Sequence, residues 1–227
     1  MVGRKPARVF DEPFMMAGMP EASRAYLALG DSYTVGEGVE PSETWPFVLV
    51  RLLERLGHCV DGPTVVARTG WTTDELLEVA EGTTFPPSPA LVTLMVGVND
   101  QYRGRPVSEV RAGFGRLLEM VMQRAPSSRL LVLSIPDWGV TPFASGRDPG
   151  AIAAAVDAFN DEERGLVYAA GARWLDITPL SREAASNSDL VAGDGLHFSP
   201  LAHRLVAETA LEPALEILAC QRPPGRI

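Results

Sequence analysis

The residues best suited to chemistry are a serine, an acid–histidine pair and two positions able to donate hydrogen bonds. Ser32 closes the stretch Tyr26-Leu27-Ala28-Leu29-Gly30-Asp31-Ser32, in which an apolar run ends abruptly in a glycine, an acid and a hydroxyl. Asp194-Gly195-Leu196-His197 puts a carboxylate three residues before an imidazole, with glycine between them to allow a tight turn. At that spacing Asp194 can hydrogen-bond one ring nitrogen of His197, fixing its tautomer and stabilising the imidazolium; the other nitrogen then faces Ser32 as a base. Acyl transfer also needs donors where negative charge develops on a carbonyl oxygen. Gly70, whose N–H no side chain shields, the Asn99 amide and the N–H of Ser32 itself are the candidates.

The other polar residues read differently. Of the three histidines, His58 adjoins Cys59 after a helix-stopping glycine and reads as a surface turn residue. His203 falls inside the last predicted helix, in a solvent-exposed or helix-packing role. Asp31 and Asp100 read as acids that brace turns through nearby backbone N–H groups. Asp194 and His197 have no third or fourth ligand beside them, so a metal site is not expected. A GxSxG elbow is absent, which argues against an α/β-hydrolase, and no GxGxxG or P-loop supplies a phosphate cradle.

These residues must be positioned by a scaffold, and its elements can be read along the chain. Strand candidates are Tyr26 to Leu29, Thr64 to Ala67, Leu91 to Val96, Leu130 to Ile135 and Ala172 to Ile177. The third is apolar almost throughout, as a parallel strand covered on both faces must be. Helices are expected from Trp45-Pro46, where proline suits the first turn; from Thr72, which with Glu75 makes a capping box; and over Val107 to Val121. Asp148-Pro149 opens an alanine-rich helix, and Ser199-Pro200 opens the last one, which Pro213 should kink or divide. Strands alternating with helices predict an α/β fold: three layers, with a parallel sheet between helices. In such a sheet the strand carboxyl ends share one edge, so Ser32, Gly70 and Asn99, each just past a strand, would converge there.

At 227 residues, with 46% hydrophobic and 22% charged, the chain fits one globular domain. A formal charge of −9 argues against nucleic acid as a partner, because phosphate binding relies on clustered Lys and Arg. Two distant cysteines, Cys59 and Cys220, do not make a disulfide framework. No apolar run is long enough to span a bilayer, and the cluster Phe14 to Met19 is too short and broken for a signal-peptide core, so a cytoplasmic location is expected. Residues 1–24 read as an irregular arm, 25–220 as the domain and 221–227 as a tail.

Four short blocks in order give the chain a family resemblance: Gly30-Asp31-Ser32, Gly70 with Thr72 and Thr73, Gly97-Val98-Asn99-Asp100, and Asp194-Gly195-Leu196-His197. It resembles the SGNH hydrolases, the GDSL-like esterase and lipase superfamily, from about Tyr26 to Ala219. The resemblance implies a flavodoxin-like, five-stranded parallel sheet of order 2-1-3-4-5. It also implies Ser32 as nucleophile, His197 as base, Asp194 as its orienter, and an oxyanion hole from Ser32, Gly70 and Asn99. Tyr33 stands where the family name has leucine, and Phe198 follows the histidine where proline is frequent; both are candidates to shape the substrate pocket. Trp138, in the Pro136 to Asp148 loop with Phe143, is a third, although that loop would equally serve to cover core. The function implied is hydrolysis of a small ester through an acyl-enzyme and without a cofactor; the compact chain, with no inserted lid domain, leans toward a shallow site and short acyl groups. Acyl transfer to an alcohol, or a binding module without turnover, are the alternatives.

Overall fold

A computed structural model describes residues 24–221. Apart from Arg24 and Gln221, the expected arm and tail lie outside the described residues. Five strands, β1 (Tyr26–Gly30), β2 (Thr64–Ala67), β3 (Leu91–Met95), β4 (Leu130–Leu133) and β5 (Arg173–Leu175), form one sheet of order β2-β1-β3-β4-β5. Every pairing is parallel. Helices α1 (Ser32–Val35), α2 (Trp45–Arg55), α3 (Thr73–Gly82), α4 (Val98–Tyr102), α5 (Val107–Met122), α6 (Pro149–Ala169), α7 (Thr178–Arg182) and α8 (Pro200–Ala219) surround it.

The three central strands are buried at every residue, which explains why their sequences are apolar runs rather than alternations. Successive side chains divide between two cores. Tyr26, Ala28, Leu131 and Leu133 join Trp45 and Leu49 of α2 and Val206 and Ala210 of α8 on one face. Leu27, Leu29, Leu94 and Val132 join Leu76 of α3 and Phe114 and Leu117 of α5 on the other. Each fully buried leucine contributes about 1.5–3 kcal/mol relative to leaving it exposed.

Local signals set the helix starts. The Thr72 hydroxyl accepts from the Glu75 N–H at 3.3 Å while the Glu75 carboxylate accepts from the Thr72 N–H at 2.8 Å, the reciprocal pair expected of a capping box. Asp148 accepts from the N–H groups of Gly150 and Ala151 at 2.9 and 3.1 Å and so starts α6. Of the two outcomes expected at Pro213, division does not occur: α8 runs unbroken to Ala219. Proline removes only one N–H, and the flanking Ala210 and Ala214 are fully buried against the core, which holds the helix together.

Register explains where a site can form. Gly30 at the end of β1 is level with Ala67 of β2 and Met95 of β3, so three strands finish at the same height. The chain order reverses between β1 and β3, which leaves a crevice at that edge.

Candidate active site

Ser32 is the first residue of α1, raised on a tight turn directly beyond β1. The Asp31 carboxylate caps that turn by accepting from the Tyr33 N–H at 3.0 Å. Asp31 is itself buried, and burial raises its pKa to about 7, with the Tyr33 N–H opposing and the charge of Asp100 adding to the rise. Asp31 therefore braces the turn, as its place in the sequence predicts.

His197 and Asp194 meet as their spacing requires. Nδ1 of His197 lies 2.6 Å from Oδ2 of Asp194. The second carboxylate oxygen accepts from the N–H groups of Leu196 and His197 at 2.9 and 3.0 Å, so the acid holds its own loop as well as the ring. Burial pushes the Asp194 carboxyl up, but the His197 ring and those two N–H groups outweigh it and leave the pKa below the usual range. The loop is pinned on both sides: Ala192 N–H donates to the His197 carbonyl at 2.8 Å, and Phe143 N–H to the Gly195 carbonyl at 2.9 Å. The Tyr33 ring packs 5.2 Å from the imidazole, and its hydroxyl donates to the Leu196 carbonyl at 3.3 Å.

Asn99 sits in the first turn of α4 beyond β3, and one amide hydrogen is donated to the Trp71 carbonyl at 2.9 Å. That bond fixes the amide and leaves its other hydrogen free, since an asparagine amide carries two. The segment holding Gly70 is tied to the same region by Arg103, which donates to the Gly70 carbonyl at 2.7 Å, and by Thr69, whose hydroxyl donates to Glu37. Gly70 has a φ of +86°, and a Cβ added there would meet nothing within 4 Å, so its backbone is open to an approaching ligand. Asp100, fully buried, accepts from the Thr73 N–H and hydroxyl at 2.8 and 3.0 Å and from Arg105 at 2.8 Å, joining α4 to α3.

Behind this loop lies a feature that sequence reading missed. Glu163 of α6 is 1% exposed, and neither carboxylate oxygen has a partner. It faces Gly97, where φ is +128° and an added Cβ would stand 2.7 Å from a Glu163 oxygen. Burial, reinforced by the charges of Asp100 and Asp31, drives its pKa well above the carboxylate range.

Ser32, Asn99 and His197 line one cavity of about 90 Å³, with Tyr33, Val98, Leu196 and a wall of Tyr102, Trp138 and Phe143. Gly70 is not among the lining residues, and no hydrogen bond joins Ser32 to His197. Trp138 is held by its indole N–H, which donates to Gln101 at 2.6 Å, and by Asp137 before it, which accepts from Arg182 at 2.9 Å. The Pro136 to Asp148 loop thus both covers core, through buried Trp138, and walls the cavity, through half-exposed Phe143.

One sequence expectation needs correction. Phe198 does not line this cavity: it is buried beneath it, edge-on to Tyr33 at 4.8 Å and to His203 at 5.8 Å. Of the two roles expected for His203 the structure shows packing: the residue is 1% exposed and its Nδ1 accepts from the Trp45 N–H at 3.2 Å. Burial, with the nearby His197 adding, lowers its pKa to about 4. Tyr102 was missed although it stands one helical turn past Asn99, a spacing that puts both on one face. Both cysteines are exposed and free. Among the described residues, no group of three His, Cys, Asp or Glu side chains could hold a metal ion, and no helix is long and apolar enough to cross a membrane.

Comparison with known proteins places these observations in context. The family model described as the GDSL-like lipase/acylhydrolase family matches residues 28–205. An arylesterase of Vibrio mimicus is 25% identical over 125 residues, covering 54% of this chain and 61% of that protein. This chain thus matches less than two thirds of that relative's length. Among solved structures, a lipolytic protein of the G-D-S-L family from Veillonella parvula DSM 2008 superposes with a TM-score of 0.66 at 17% identity, covering 83% of this chain and 96% of that one. The acetylxylan esterase Axe2 from Geobacillus stearothermophilus gives 0.65 at 18% identity, over 84% and 93%. At such identities the superpositions speak to the fold: the doubly wound parallel sheet is that of these proteins.

Proposed function

The chain belongs to the GDSL-like lipase/acylhydrolase family, and within it we propose that this protein is a serine ester hydrolase working through an acyl-enzyme. The observation that carries the reading is one cavity lined by Ser32, Asn99 and His197, with His197 tied through Nδ1 to Asp194 at 2.6 Å. A nucleophile, a base with its orienter and an oxyanion donor share one site.

In the first half-reaction Nε2 of His197 takes the proton of the Ser32 hydroxyl as Oγ bonds to the ester carbonyl carbon. Asp194 stabilises the imidazolium that results. The carbonyl oxygen becomes an oxyanion and accepts from the free amide hydrogen of Asn99 and from the N–H groups of Ser32 and Gly70. Collapse breaks the bond to the alcohol, which leaves with the proton from His197. A water then gives its proton to His197 and bonds to the acyl carbon, and the acid is released as Ser32 recovers its proton. The absent Ser32–His197 hydrogen bond is compatible with this role, because such contacts are often long without substrate and tighten on binding.

Cavity size supports a short acyl group. About 90 Å³ is smaller than the engineered cavity of about 150 Å³ that holds benzene. The aromatic wall therefore accommodates an acetyl- or propionyl-sized group and meets longer chains with Trp138 and Phe143. The test is a series of 4-nitrophenyl esters from acetate to decanoate. Turnover is expected to be highest for the shortest acyl groups and absent in Ser32→Ala. A folded wild-type protein that turns over none of them would overturn the reading.

A further inference from the structure

We propose that Arg147 is a specificity-determining residue of this site and that the preferred esters carry a carboxylate or phosphate beside the ester group. The inference rests on the ester-hydrolase reading and names its substrate class. It starts from the cavity wall. Tyr102, Trp138 and Phe143 pack ring against ring, with centroids 5.3, 5.8 and 6.0 Å apart. The Arg147 guanidinium lies over all three, its carbon 5.0 Å from the Tyr102 centroid, 5.1 Å from Trp138 and 5.9 Å from Phe143.

This arginine is unlike those around it. Arg103, Arg105, Arg116 and Arg182 each meet a carboxylate, whereas Arg147 has none within 4.0 Å among the described residues. Among the described residues its guanidinium makes one hydrogen bond, donated to the Tyr102 hydroxyl at 3.3 Å. The adjacent Asp148 is committed to capping α6. In a chain of net charge −9, a cation with no acid of its own among the described residues stands exposed against the rings that wall the site, beside the cavity rather than among the residues that line it.

Ring contact limits how such a cation can be used. The guanidinium carbon lies within about 6 Å of all three ring centroids, and its N–H donors lie in the guanidinium plane, along its edge. That edge is a planar fork matched to the two oxygens of a carboxylate or phosphate. Aromatic walls on one side also weaken the competition from water, so an anion there gains more than at an ordinary exposed arginine. A neutral ester would use the same aromatic wall and leave the fork unfilled.

The experiment compares closely matched esters with and without an anionic group, with the anion on either side of the ester bond. One arm is 4-acetoxybenzoate against its methyl ester, with the charge on the alcohol; the other is monoethyl succinate against ethyl butyrate, with the charge on the acyl group. Wild type, Arg147→Met and Arg147→Lys are measured for kcat and KM. In at least one arm wild type should favour the anionic ester by roughly ten- to one-hundred-fold in kcat/KM, as expected for hydrogen bonds between charged groups. Arg147→Met should erase that preference through KM while leaving the neutral ester within about threefold, and Arg147→Lys should keep part of it. The proposal fails if wild type shows no preference in either arm, or if Arg147→Met retains it. It fails too if both members of a pair fall equally, the mark of an arginine that merely holds the rings. Absence of turnover on every ester, neutral ones included, would instead overturn the ester-hydrolase reading and the inference with it.

Discussion

Replacing Asp31 by asparagine separates the charge of this residue from its hydrogen bonding. Its oxygen caps the turn that carries Ser32, a role asparagine fills equally well at a helix N-cap. Its charge is held where burial raises the pKa from 3.8 to about 7, a penalty of about 4 kcal/mol on the ionised form at 1.36 kcal/mol per pK unit. The folded state therefore binds the Asp31 proton more tightly than the unfolded chain does. Its contribution to stability is whole below pH 3.8 and is lost as the pH rises through about 7. Asn does not titrate, so Asp31→Asn removes that loss, although its buried NH₂ group adds a pH-independent cost of about 1–3 kcal/mol if unpaired. The readout is thus the change with pH. Relative to wild type, Asp31→Asn should gain about 2–3 kcal/mol between pH 5 and pH 8. In thermal unfolding this is a relative rise in Tm of roughly 5–10 °C for a domain of this size. The same Tm difference at both pH values would refute the reasoning, because Asp31 would then titrate alike in the folded and unfolded chains.

Further outcomes follow from the same geometry. Asn99→Ala removes one oxyanion donor and should lower kcat by roughly 100- to 1,000-fold, with KM little changed; a change confined to KM would assign Asn99 to ground-state binding. Asp194→Asn keeps an oxygen for the Leu196 and His197 N–H groups but loses the charge beside the imidazole, so kcat should fall by roughly ten-thousand-fold while the protein stays folded. Gly97→Ala drives a methyl to within 2.7 Å of the Glu163 carboxyl and strains a φ of +128°. It should lower stability by roughly 1–3 kcal/mol in chemical denaturation, and a neutral effect would mean that α6 is free to move away.

What could be read from the sequence was what local pattern and sheet logic determine. β1, β3 and β4 are buried on both faces and so are written as apolar runs; Ser32 and Asn99 stand just past their ends, where parallel topology puts them on one edge. The Asp194–His197 contact is set by a turn of three residues, again local. The misses are non-local. Phe198 pairs with Val191 in an extended bridge, so its side chain points opposite to that of His197, away from the cavity and into the core. Glu163 sits in Asp161-Glu162-Glu163, which reads as a solvated surface; only the packing of α6 against Gly97 shows one of the three to be buried. Arg147 likewise gains its meaning only when the loop after β4 folds back toward α4 and brings Trp138 and Phe143 to Tyr102.

The central claim is that His197 activates Ser32 as a nucleophile. Its most direct test is to treat the folded protein with a fluorophosphonate and locate the adduct by peptide mass spectrometry. The adduct is expected on Ser32, absent in Ser32→Ala and formed far more slowly in His197→Ala. A label on another residue, or labelling of Ser32 at an unchanged rate without His197, would contradict the claim.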